Sequence, residues 1–195
     1  MPAVDQAVLE GVILRRNDVG ATEHARAEPS LRTAVHEAGH AVWAAWAWGP
    51  GSVIAIGLSG PAGALGQTML AEGVLQQHPN PAQLRRLVGM ALAGWTAERL
   101  ALRLAGFSAG AGHDLDRARR LIGASDDPDA QLALAAIWVE CVLHVRVAPI
   151  RKIARRLLAE PQSALAGPQL EEILGDASRT RSVHRSPVGL DSGLT

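Results

Sequence analysis

Residues 34 to 43 read AVHEAGHAVW. Three polar, ionisable groups, His36, Glu37 and His40, interrupt a stretch that is otherwise small and apolar. At about 100° per residue, positions 36 and 40 lie one above the other on a single helix face. The spacing predicts that both imidazoles point at one common locus, with Glu37 flanking it from one side. Outward from this stretch, Ser30 is a good N-cap and WGPG at 48 to 51 a stop, so LRTAVHEAGHAVWAAWAW is expected to form a helix of about five turns. Gly39 inside that helix costs about 1 kcal/mol relative to alanine, which implies that another segment approaches closely there.

Composition sets the frame around this helix. The chain has 195 residues, 48% of them hydrophobic, with 19 basic against 19 acidic side chains. That describes one folded domain with a short appendage, and it lacks the positive excess expected of a nucleic-acid binder. Cys141 is the single cysteine, which excludes an internal disulfide and a cysteine-rich zinc framework and fits a reducing compartment. The first residues, MPAVDQAVLEGVILRRNDVG, lack the pattern of a signal peptide. The longest apolar run, 41 to 58, is cut by Gly49, Pro50 and Gly51 into pieces too short to span a bilayer. A soluble, cytoplasmic protein without membrane insertion is expected.

Three stretches divide the chain: an N-terminal segment at 1 to 29, with a short helix from about Val4 to Arg16; a domain at 30 to 175; and a tail at 176 to 195, rich in Ser, Arg and Gly and expected to be disordered. Within the domain, SVIAIGL and LGQTML read as two strands of a hairpin at 52 to 71. Asn80 and Pro81 open a mostly apolar helix expected to close at Gly106. After a glycine-rich loop, DLDRARRLIG begins another helix with acids in its first turn, where the macrodipole favours them. A long helical region from Pro128 to about Glu160 must kink or break at Pro149, and PQLEEILG is a last short helix. The fold class expected is mainly α with a small β element (α+β).

His36, Glu37 and His40 match H-E-x-x-H, the pattern of zinc-dependent peptidases. Imidazole suits Zn²⁺, and two ligands from one rigid helix leave room for a third protein ligand and a water. Glu37 is then placed to take a proton from the zinc-bound water as it attacks a peptide carbonyl. Shuffling this composition produces the pattern roughly once per hundred chains, before any demand for a helix. The plainer reading is a polar helix edge. Three residues compete as third ligand: Asp114 at a helix start, Glu98 on the apolar helix, and His113 beside Asp114. Glu98 is also suited to accept a histidine N–H without touching the metal. Spacing leaves the choice open.

Further stretches bring a resemblance into view. HEAGH preceded by Ala34 and Val35, GALGQT at 63 to 68, AGWTAERL at 93 to 100, SAGAGHDLDRAR at 108 to 119 and LLAEPQSALAGPQLEEIL at 157 to 174 resemble, in order, motifs of the peptidase domain of FtsH-type ATP-dependent zinc metalloproteases. The resemblance covers about residues 31 to 175. It implies zinc held by His36, His40 and Asp114, Glu37 as general base, and Glu98 outside the ligand set. It also implies the FtsH-type peptidase fold, whose hairpin strand offers an edge to an extended polypeptide substrate. The family couples this domain to an AAA+ ATPase, whereas these residues hold no G-x-x-x-x-G-K-[ST] loop. A separate ATPase or an FtsH-type protein is therefore an expected partner, and a homo-oligomer an expected assembly. His113 and Trp95 replace the Asn and Arg that the family commonly carries.

The resulting expectation is a metalloendopeptidase acting on unfolded or flexible polypeptide. Its alternative is a non-catalytic, peptidase-derived binding or regulatory module with structural zinc. Elsewhere, Glu140 and His144, one turn apart, read as a helix-surface pair. Trp43, Trp46 and Trp48 read as core packing plus a subunit contact. Arg85, Arg86, Arg151, Arg155 and Arg156 read as solvated faces.

Overall fold

The helix that carries His36 and His40 is buried nearly all round, because its residues are small. In α1 (Pro29–Trp48), Ala34, Ala38, Ala41, Val42, Trp43 and Ala44 are fully buried, and three other helices, α2 (Pro81–Leu102), α5 (Val147–Ala159) and α6 (Pro168–Arg179), pack around it. A computed structural model describes residues 29–58, 66–75, 79–104, 111–123, 127–160 and 164–179. The segment at Val4–Arg16, the hairpin turn, Gly106 with the glycine loop up to residue 110, and the tail from 180 onward lie outside the described residues. α1 already includes Pro29 and Ser30, so Ser30 sits within the helix and is not its cap. Gly49, at φ 102°, ends it as the WGPG stop required. A single 3₁₀ turn, Pro50–Ser52, then leads into the sheet.

β1 (Val53–Gly57) and β2 (Gln67–Leu70) pair antiparallel, with an irregularity between Val53 and Ala55. A third strand, β3 (Ala164–Ala166), pairs antiparallel with the other side of β1, giving the order β2-β1-β3. Three residues reading ALA carry no alternation, so this strand left no sequence signal. With β3 in place β1 is filled on both sides, and among the described residues the hairpin's open edge belongs to β2.

α2 (Pro81–Leu102) starts with a complete capping box: Asn80 Oδ1 accepts from the Gln83 backbone N–H, and Gln83 Oε1 accepts from that of Asn80. The helix stops earlier than Gly106, because Arg103 turns left-handed (φ 55°) and Arg151 donates from Nε and Nη2 to the carbonyl of Ala101. A continuing helix would need that carbonyl. Arg151 is thus a helix cap as well as an exposed residue on a solvated face. α3 (Ala111–Ile122) begins three residues earlier than expected, placing Asp114 in its first turn.

α4 (Pro128–His144) and α5 (Val147–Ala159) meet at 77°. The break falls at Val145 and Arg146, not at Pro149 itself. Pro149 sits in the first turn of α5, where its missing N–H is harmless, while its ring excludes a helical carbonyl four residues earlier. β3 leads through Gly167 into α6 (Pro168–Arg179), which runs four residues past Gly175 into the stretch assigned to the tail. Trp43, Leu132, Ile150, Leu157, Leu165 and Leu174, from five elements, belong to one continuous core. Among the described residues, the fold is mainly helical with a small antiparallel sheet, and no single helix is long and apolar enough to cross a membrane.

Candidate metal centre

The seam between α1 and α2 is close because glycines line it. A Cβ on Gly39 would stand 2.4 Å from Cβ of Ala97 and 2.6 Å from the carbonyl oxygen of Ala93, so α2 lies directly against α1. On the opposing helix, a Cβ on Gly94 would come within 2.5 Å of His36 Nε2, so Gly94 leaves the room the imidazole occupies. These two absences of a side chain let both histidines lie between the helices.

Each imidazole is then held from behind. His36 Nδ1 lies 2.7 Å from Oε1 of Glu98, whose other oxygen, Oε2, is 2.6 Å from Nε of Arg32. His40 Nδ1 lies 2.8 Å from the carbonyl oxygen of Met90. Both partners are acceptors, so both Nδ1 atoms donate, and in the neutral rings both Nε2 atoms carry lone pairs. Those lone pairs face each other at 3.0 Å, and Oδ2 of Asp114 stands 2.9 Å from His36 Nε2 and 3.3 Å from His40 Nε2. Three electron-rich atoms converging at such distances repel one another unless a cation lies among them.

A proton is one such cation. Burial acts to lower the basicity of His36, but hydrogen bonds with Asp114 and Glu98, together with their negative charge, outweigh it and raise the pKa to about 10. For Asp114, burial acts in the opposite sense. Hydrogen bonds with His36 and His40 still hold its carboxyl well below the usual carboxylate range. A divalent metal is the other such cation. Two imidazole nitrogens and a carboxylate oxygen form a donor set suited to catalytic zinc, and these three residues, on α1 and α3, could hold an ion in common.

No protein-family model matches this chain, and no curated protein matches it. The chemistry of the site is therefore read from its own atoms.

The other sequence candidates fall outside this triangle. Glu98, 2% exposed, orients His36 from the far side of the ring and presents no oxygen to the Nε2 locus. His113 is exposed and stands apart from the cluster. Glu140 does not pair with His144: its Oε2 lies 3.4 Å from Nη2 of Arg99, across the α2–α4 contact. Trp43 is buried against Trp46 and Trp138 and donates from Nε1 to the carbonyl of Arg86, while Arg86 itself lines a small cleft with Trp46 and Trp138.

Glu37, 7% exposed, lies against the sheet. Its Oε2 accepts from the Thr68 hydroxyl of β2 at 2.8 Å. Sequence reasoning passed over three of these contacts. Arg32 was discoverable, because it stands one turn before His36 on the same helix stripe. Thr68 lies inside GALGQT but gives no hint of its partner. The Met90 carbonyl is backbone, and no residue type announces it.

Proposed function

We propose that this chain is a zinc-dependent metalloendopeptidase of the FtsH-type peptidase fold, hydrolysing peptide bonds in unfolded or flexible polypeptides. The observation that carries the reading is the meeting of His36 Nε2, His40 Nε2 and Asp114 Oδ2 with both Nδ1 positions already engaged as donors. His36, His40 and Asp114 would hold the metal. Bound there, zinc supplies a Lewis acid that polarises the scissile carbonyl and acidifies water. Glu37 accepts the proton released by the attacking water and returns it to the departing amine nitrogen. Glu98, with Arg32 as its counter-charge, keeps the His36 ring in the tautomer that points its lone pair at the site. The edge of β2 beside Glu37, unpaired among the described residues, supports binding of an extended chain by strand addition. Main-chain hydrogen bonds there read no side chain, which suits flexible polypeptides of varied sequence.

The same donor set also holds iron(II) in oxygenases, so the test begins with metal analysis. We expect about one zinc per chain. Casein cleavage is expected in the wild type and lost in Glu37→Gln, with zinc retained. Cleavage undiminished in that variant, or a purified protein unable to bind zinc, overturns the reading.

A further inference from the structure

We infer that Thr68 is a positioning residue for Glu37: its hydroxyl holds carboxylate oxygen Oε2 and thereby leaves Oε1 as the oxygen that exchanges the proton. The inference rests on the peptidase reading above and adds a division of labour between the two oxygens.

The backbone of Glu37 is fixed by α1, but three rotatable bonds separate it from the carboxylate, and the helix alone does not set where that group ends. Thr68 Oγ1 lies 2.8 Å from Oε2 and 3.1 Å from the main-chain oxygen of Glu37. A hydroxyl has one proton to give, and the shorter, charge-assisted bond to the carboxylate takes it. Among the described residues, Oε1 has no hydrogen-bond partner. On that side stands Gly66, where a Cβ would lie 2.8 Å from Oε1 and 2.7 Å from Cγ of Glu37. Any side chain at 66 would crowd the oxygen that Thr68 leaves unengaged.

A general base needs both properties at once: a fixed direction and an unoccupied lone pair within reach of the proton. Thr68 provides the first and Gly66 preserves the second. Both belong to the chain entering or forming β2, whose edge, unpaired among the described residues, is the surface that the peptidase reading offers to an extended polypeptide. One strand would therefore align substrate and base in a single frame, so that a peptide bond registered on β2 arrives with Oε1 already aimed.

The test compares Thr68→Val, which keeps the shape and removes the donor, with Thr68→Ser, which keeps the donor. Fluorescence-quenched casein is the substrate, and zinc content and thermal unfolding are measured on each protein. For Thr68→Val, kcat should fall roughly 10- to 100-fold with KM within about twofold and zinc retained, whereas Thr68→Ser stays within about threefold of wild type. If Thr68→Val does not fold, Thr68→Ala against Thr68→Ser makes the same comparison. Full kcat without the hydroxyl, or a serine variant as slow as the valine one, overturns the positioning role alone. A wild type that holds zinc and cleaves nothing overturns the peptidase reading and this role with it.

Discussion

At Nε2 of His36 the arrangement is held together by opposing charges more than by shape. Glu98 and Asp114 flank one imidazole from its two nitrogens, 2.7 Å and 2.9 Å away, and Arg32 balances the outer carboxylate at 2.6 Å. In metal-free protein the ring therefore keeps a proton to a pKa of about 10. The raised value means that this proton's contribution to stability is fully present below pH 6.5 and is lost as the pH climbs to about 10. The lowered Asp114 value adds stability that is present above pH 3.8 and lost on further acidification. On the proposed reading, zinc binding at this site would displace the His36 proton, so its apparent affinity should rise about tenfold per pH unit between roughly pH 7 and 9. Titration calorimetry in two buffers of different ionisation enthalpy should find about one proton released per zinc. A proton count of zero would show that the ring is not protonated in the free protein. The two histidines were legible in the sequence because four-residue spacing on a helix is itself a geometric statement. Asp114 was one of three candidates, since nothing in the chain between 40 and 114 fixes how α3 approaches α1.

The elements differ in how openly their ends are written. Asn80, Pro81 and Gln83 spell out the start of α2, and the capping box forms between those side chains and backbone groups. Replacing Asn80 by alanine should cost about 1 kcal/mol and lower the unfolding midpoint by about 2–4 °C. Zinc content should not change, because the cap lies about 27 Å along the helix from Glu98 at 1.5 Å per residue. Loss of zinc in that variant would mean that the two ends of α2 do not behave independently. The other end of α2 was not legible: it depends on Arg151, which belongs to α5 and is adjacent to Ala101 only in three dimensions. The break between α4 and α5 lies between. Pro149 announced an interruption, but its ring acts on the preceding turn, so the chain bends before the proline and not at it.

Across the whole molecule, the His36–His40–Asp114 cluster joins parts that the hydrophobic core does not hold equally. α1 is enclosed by α2, α5 and α6, whereas α3 packs chiefly on α2 and places few buried residues, Leu115 and Ala118 among them. Asp114 gives α3 a further attachment, to the histidines of α1. Removing zinc should therefore lower the unfolding midpoint by about 5–10 °C relative to free zinc at about 100 times Kd, with amide exchange quickening first in α3. A His36→Ala variant should show no such response to a chelator; an equal response there would place the stabilising metal elsewhere. By itself, the sequence determined the helix that presents His36 and His40, the hairpin beside it and the mainly helical class, because each depends on periodicity or on turn residues within a few positions. Only the tertiary structure decided that Asp114 meets the histidines, that Glu98 stands behind one of them, that Thr68 grips Glu37, and that a third strand closes one side of β1. Those contacts join residues about 30 to 110 positions apart, and their geometry follows from how closely glycine and alanine let the helices approach, which no local pattern encodes.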